Sequence, residues 1–227
     1  MSAITALFRV YRPIIGWFVP AILSAYLIIL AAVLASTPRL GFSMWMVLAV
    51  PAAKYWLLVV AIMLVAMQLR QFVTNGVTRH EYLHAVGVFG LILCVAFALA
   101  VVLGHVLESA LLAAFDRRAV GYPVSTFGGA VSELGHMLPL ALAYLVSGAL
   151  IAAGFYRWRP LAGLVVMVAG AVPVALAEYL LNVDEFGTFD AHLAYAPSLV
   201  ISLVVTAAGA LAFYRVVSDV PIRRTAG

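Results

Sequence analysis

The sequence predicts an all-α, polytopic membrane protein with about six transmembrane helices and with both ends of the chain in the cytoplasm. Hydrophobic residues make up 66% of the chain, charged residues make up only 10%, and the mean hydropathy is +1.14. Soluble domains carry about 25% charged residues. Because so few polar side chains cannot cover a soluble fold of 227 residues, lipid must surround most of the chain.

Six charge-poor runs are long enough to cross a bilayer core of about 30 Å, which takes about 20 helical residues. The expected spans are residues 13–38, 40–69, 85–104, 137–156, 160–177 and 193–214. Pro51 and Lys54 interrupt the second run. We therefore expect its helix to begin near residue 50, with the lysine reaching outward to the membrane surface.

The basic residues orient the chain, because Lys and Arg accumulate in cytoplasmic connections. With a cytoplasmic N-terminus, nine of the 13 lie inside: Arg9, Arg12, Arg70, Arg79, Arg157, Arg159, Arg215, Arg223 and Arg224. The other four lie outside: Arg39, Lys54, Arg117 and Arg118. The net charge of +4 is thus explained by membrane orientation, and we expect no nucleic-acid partner. The expected location is a bacterial cell (plasma or inner) membrane, crossed several times.

We expect a single transmembrane domain over residues 1–227. Residues 1–12 form an amphipathic cytoplasmic lead, residues 69–84 a cytoplasmic segment, and residues 108–135 and 178–192 outer loops lying on the membrane surface. The one cysteine, Cys94, excludes an internal disulfide and a thiolate metal cluster. The chain has no phosphate-binding G-x-x-x-x-G-K-[ST] loop and no G-x-S-x-G nucleophile motif.

We call the cytoplasmic segment between spans two and three the inner elbow (residues 69–84). Its sequence predicts that one helix ends there and another begins. Gly76 can end a helix in the left-handed conformation. Thr78 and Glu81 match the T-x-x-E capping box that begins the next helix. The elbow should have an apolar side of Phe72, Val73 and Val77 and a polar side of Asn75, Arg79 and His80.

The inner elbow also resembles a known family. Arg70, the pair Phe72-Val73, the run Asn75-Gly76-Val77-Thr78-Arg79 and Tyr82 are similar to the cytoplasmic loop of permease subunits of ATP-binding cassette exporters, of the six-span second type common in drug efflux and antibiotic self-resistance. In that family this loop is a coupling helix that fits a groove in the ATPase subunit. A short amphipathic helix precedes the first span there, and residues 8–12 take its place here. The chain departs from the family in placing its longest outer connection after span three.

The resemblance implies the transmembrane subunit of an ATP-driven exporter, in a homodimer or a heterodimer with a related permease. The chain itself would bind no cofactor and have no catalytic activity, since cytosolic ATP-binding cassette ATPase subunits would hold ATP and Mg²⁺. The implied ATPase-coupling residues are Arg70, Phe72, Asn75, Gly76, Val77, Thr78, Arg79, Glu81 and Tyr82. The simpler alternative is an ordinary inner loop whose arginines only orient the chain.

Two other functions remain open. One is an intramembrane metal-dependent enzyme, because His105-x-x-Glu108 and Glu133-x-x-His136 each place a histidine and a carboxylate on one helix face at the outer membrane edge. The simpler interpretation is polar side chains solvated at the interface, with no metal site. The other is a membrane immunity or scaffold protein that transports nothing.

A cluster of acids follows span five. Glu178, Asp184 and Glu185 are a possible outer exit, where carboxylates would attract cationic substrates. The alternative is a solvated loop. Lys54 can pair with Glu178 or with Glu108, although we expect it to reach outward to the surface.

Overall fold

The computed structural model describes residues 2–36, 42–115, 126–158, 160–181 and 193–218. It confirms the all-α prediction, since every regular element in these ranges is helical. The elements are α1 (Ala3–Ser36), α2 (Met44–Met63), a π-helical turn (Leu64–Gln68), α3 (Leu69–Thr74), α4 (Arg79–Ala114), α5 (Phe127–Arg157), α6 (Pro160–Leu181) and α7 (Tyr195–Ser218). Below, inner and outer refer to the orientation that the arginines predict.

Six helical stretches in the described ranges are long and apolar enough to span a membrane, as predicted. α2, the π-helical turn and α3 together form the second of them. This stretch begins at Met44, well before the expected start near residue 50. The reason is that the Ser43 hydroxyl caps the helix by accepting from the amide of Met46, and the helix then continues through Pro51.

Helix α5 lies at the centre of the bundle and contacts α2, α4, α6 and α7. Small residues let these helices approach closely, as is typical inside membranes. A Cβ atom on Gly148 of α5 would overlap the backbone carbonyl of Leu58 in α2. The helices at the periphery of the bundle instead expose large apolar side chains, which lipid would cover: Trp17 and Ile28 on α1, Leu161 and Val165 on α6, and Val204 on α7.

Helices α4 and α5 are much longer than a bilayer core requires. They contain 36 and 31 residues, or about 54 and 46 Å of helix, against about 30 Å of hydrocarbon. Residues 108–114 and 127–135, expected in a surface loop, are therefore the helical ends of α4 and α5. Thr126 starts α5 by accepting from the amide of Gly129. Residues 116–125 lie outside the described part of the chain.

The amphipathic lead is not a separate helix. Helix α1 runs without a break over Ala3–Ser36. Leu7 and Tyr11, one turn apart, are fully buried, and the Tyr11 ring lies 5.3 Å from the ring of Phe89 in α4. Arg9 is exposed on the opposite face. The predicted two-sided pattern is present, but it packs the start of α1 against α4.

Candidate functional site

Within the inner elbow, helix α3 ends as the sequence predicted. The Val77 amide donates to the Phe72 carbonyl and the Gly76 amide donates to the Val73 carbonyl, each at 3.1 Å. This pair of hydrogen bonds is a Schellman motif. It requires a left-handed residue, and Gly76 has a φ of +86°.

The start of α4 is also fixed by hydrogen bonds between side chains and backbone. The Thr78 hydroxyl accepts from the Glu81 amide at 3.2 Å, and the Glu81 carboxylate accepts from the Thr78 amide at 3.0 Å. These are the two reciprocal bonds of the predicted capping box. Residues 74–78, which connect α3 to α4, form the tip of the elbow. The exposed residues of this tip are Thr74, Asn75, Gly76 and Thr78.

The apolar side of the elbow faces the protein interior and not its surface. Tyr82, expected to present a contact to a partner, is only 1% exposed. Its ring packs 5.3 Å from the ring of Phe72, and its hydroxyl donates to the carbonyl of Leu64. Val73 and Val77 pack against the same core. The elbow closes the inner end of the bundle with these side chains, so its free surface is the polar tip.

The Leu64 carbonyl that Tyr82 reaches belongs to the π-helical turn. The Leu69 amide donates to the same carbonyl, which is the i to i−5 bond of a π-helix. π-helical turns interrupt the α-helical register and occur frequently at functional sites. The elbow is therefore hydrogen-bonded to the one irregular turn of the second span in the described residues.

Two of the arginines that predict the membrane orientation also bind the inner end of α7. Arg79 of the elbow donates to the Ser218 carbonyl, and Arg157 at the end of α5 donates to the Val216 carbonyl, both at 3.0 Å. The last carbonyls of a helix have no partner within it, and cations stabilise that end. A 3.0 Å hydrogen bond between His80 and Tyr214 adds a third connection from the elbow to α7.

A second polar group lies inside the bundle. The Lys54 ammonium of α2 is 2.9 Å from a carboxylate oxygen of Glu178 in α6, and the Tyr144 hydroxyl of α5 donates to that oxygen at 2.6 Å. Lys54 is 9% exposed and thus does not reach outward to the surface as expected. The early start of α2 places it too deep. Of the predicted outer exit, Glu178 faces a cation inside the bundle, and Asp184 and Glu185 lie outside the described residues.

The outer ends of α4 and α5 carry the four residues of the metal hypothesis. His105 and Glu133 pair across the two helices, with 2.8 Å between Nδ1 and Oε1. His136 bonds to the Ser132 carbonyl on its own helix at 2.8 Å and stacks on the ring of Tyr195.

Glu108, the fourth residue, faces α1 and α2 instead. It accepts from the Trp45 amide at 3.0 Å, from the Tyr26 hydroxyl at 3.4 Å and from the Ser43 hydroxyl. Within the described ranges, no three His, Cys, Asp or Glu side chains lie together where they could hold one metal ion. In the described residues, the four side chains of this alternative therefore do not converge on one site.

Beside Glu108 lies a cavity of about 290 Å³ between α1, α2 and α4. Its walls are apolar and include the rings of Phe18, Tyr26, Trp45 and Phe97. The sequence interpretation missed this site. Part of the signal was present, because Phe18 and Tyr26 lie two turns apart on one face of α1. The contribution of α2 and α4 depends on packing that the sequence alone does not show.

No family model, no curated protein and no solved structure matches this chain. What the chain does must therefore be inferred from its own residues.

Proposed function

We propose that this chain is the transmembrane subunit of an ATP-driven exporter and that the tip of the inner elbow docks a cytosolic ATP-binding cassette ATPase. The observation that carries the proposal is the elbow itself. A Schellman motif and a capping box lie back to back at the inner end of the bundle, with an exposed tip between them. The two caps give the connection a fixed shape and leave its tip free to contact a partner.

The caps matter because a docking element is more effective when its shape is fixed before binding. A flexible loop loses conformational entropy when it is ordered at an interface, and a preorganised one loses less. In the elbow the Thr74 hydroxyl and the Asn75 amide also bond back to carbonyls of α3. The tip therefore presents a defined polar surface to the cytoplasm.

The connections of the elbow provide a path for coupling. Tyr82 ties it to the π-helical turn of the second span, and Arg79 ties it to the last carbonyl described in α7. α4 starts at the capping box directly. When the ATPase subunits close on ATP and Mg²⁺, a push on the tip would move the inner ends of these three spans together.

The proposal also includes the location of the chain, its assembly and its substrate. The chain would lie in a bacterial cell membrane and form the substrate path as a homodimer or with a related permease. The expected substrate for efflux is a drug or an antibiotic. The six apolar helices support a multi-pass membrane protein, and the distribution of the arginines supports cytoplasmic chain ends.

A co-purification experiment tests the docking. The chain is expressed with the ATPase encoded beside it, and the ATPase recovered with the affinity-tagged chain is measured. Asn75 is exposed at the tip, so Asn75→Trp should lower recovery about tenfold, equivalent to about 1.4 kcal/mol of binding, while membrane abundance stays unchanged.

The matched control places the same bulk at the opposite end of the molecule. Gly128 has open space around its Cβ position at the outer start of α5, so Gly128→Trp should leave ATPase recovery at the wild-type level. Full recovery with Asn75→Trp, or the lack of any neighbouring ATPase that binds, would contradict the proposal.

A further inference from the structure

The cavity between α1, α2 and α4 combines an apolar interior with one buried acid. Among the described residues that line it, Glu108 alone carries a formal charge. This residue is only 3% exposed. Burial of a charge is costly unless something compensates it, so the surroundings of this carboxylate indicate what the cavity accommodates.

The described residues compensate Glu108 only in part. Its donors within the described ranges are the Trp45 amide, the Ser43 hydroxyl and the Tyr26 hydroxyl, and all three are neutral. They stabilise an ionised carboxylate without cancelling its charge. A carboxylate offers about four acceptor positions, and the Tyr26 bond is long at 3.4 Å. The donors among the described residues therefore leave one acceptor position of the carboxylate open to a ligand.

The rings beside Glu108 favour the same kind of ligand. Tyr26 and Trp45 meet edge to face, with ring centroids 5.3 Å apart, and both line the cavity next to the carboxylate. Aromatic faces attract ammonium groups, most strongly where water is excluded. Phe18 and Phe97 line the cavity as well and offer apolar contact to the body of such a ligand.

The cavity is reached from the lipid. Leu23 of α1 and Leu103 and Leu107 of α4 line it, and all three are also exposed on the surface that faces lipid, Leu107 by 69%. A ligand that partitions into the bilayer can thus enter sideways between α1 and α4. The volume of about 290 Å³ is at the small end of ligand pockets, which suits one compact amphiphile.

We propose that this cavity is a binding site for a lipophilic monovalent ammonium cation, with Glu108 as its counter-charge and Tyr26 and Trp45 as its aromatic walls. An anionic amphiphile would be repelled, and a neutral one would leave the carboxylate uncompensated. The binding site is a property of this chain alone. That such cations are also exported rests on the proposed function.

The test uses the purified full chain in nanodiscs of zwitterionic lipid, with empty nanodiscs subtracted. The probes are a phenylbutyl trimethylammonium salt and its neutral tert-butyl isostere, measured by calorimetric titration. We expect saturable binding of the cation at one per chain, at least about tenfold tighter than the isostere. Glu108→Gln should abolish this preference, and Glu108→Asp, which keeps the charge, should retain it.

A second pair of variants tests the walls. A Cβ atom on Gly104 would overlap the Trp45 ring, so Gly104→Ala displaces the indole and should weaken cation binding about tenfold. Gly87 lies on the same helix with open space at its Cβ position, so Gly87→Ala should bind as the wild type does.

Equal binding of the cation and the isostere to the wild type would show a groove filled by lipid only and overturn the proposal. Wild-type cation binding by monodisperse Glu108→Gln protein would overturn it too. No ATPase is present, so this outcome is separate from failure of the docking proposal.

Discussion

At the scale of single residues, the ion pair between Lys54 and Glu178 is the most informative contact within the spans. Ionisable side chains inside a membrane are costly, and they occur paired with one another or at functional positions. Here the pair is completed by the Tyr144 hydroxyl, so it joins α2, α5 and α6 through one carboxylate. The contact fixes how these three helices are arranged in the outer half of the bundle.

The pair predicts a non-additive effect on stability. Lys54→Met leaves the Glu178 carboxylate without its cation and should destabilise the protein by about 1–3 kcal/mol. The double variant Lys54→Met, Glu178→Met removes both charges and should recover most of that loss. The free energies of unfolding of the wild type, Lys54→Met, Glu178→Met and the double variant are measured in detergent and compared as a double-mutant cycle. A double variant whose loss equals the sum of the two single losses would show that the residues do not interact.

At the scale of helices, the packing of α5 against α2 depends on the missing side chain of Gly148. A Cβ atom there would overlap the Leu58 carbonyl and touch the Ala61 side chain. The backbones approach this closely over the segment just before the π-helical turn. Small residues at such contacts are the usual means of helix association within a bilayer.

Gly148→Ala should therefore force α2 and α5 apart, with a loss of about 1–3 kcal/mol typical of overpacking. Gly87→Ala is the matched control, because that helical glycine has open space. It should be neutral or stabilising by up to about 1 kcal/mol, since alanine is the better helix former. Thermal unfolding of both variants gives the comparison, and equal melting temperatures would refute the close-packing interpretation.

At the scale of the whole molecule, the features that the sequence predicted correctly are local ones. The six spans follow from runs of apolar residues, and the elbow follows from Gly76, Thr78 and Glu81, which lie within one short segment. Signals of this kind need no knowledge of which helices are neighbours.

The features that the sequence missed depend on which helices are neighbours. Lys54 has two candidate partners in the sequence, and the packing of both α2 and α6 against α5 brings it to Glu178. Tyr82 was placed on the surface because its burial depends on how α4 meets the π-helical turn. Sequence spacing pairs Glu108 with His105, although His105 pairs with Glu133 of α5 and Glu108 accepts from Trp45 of α2.

The central claim is that the tip of the elbow is cytoplasmic and is covered by an ATPase. Its most direct test is thiol labelling of Asn75→Cys in a Cys94→Ala background, since the native cysteine is fully buried. An impermeant reagent is applied to inside-out membrane vesicles with and without the co-expressed ATPase. Gly128→Cys at the outer end is the control. We predict labelling of Asn75→Cys in vesicles that hold this chain alone, protection when the ATPase is present, and no labelling of Gly128→Cys in either. Equal labelling of Asn75→Cys with and without the ATPase, or labelling of Gly128→Cys with none of Asn75→Cys, would contradict the account.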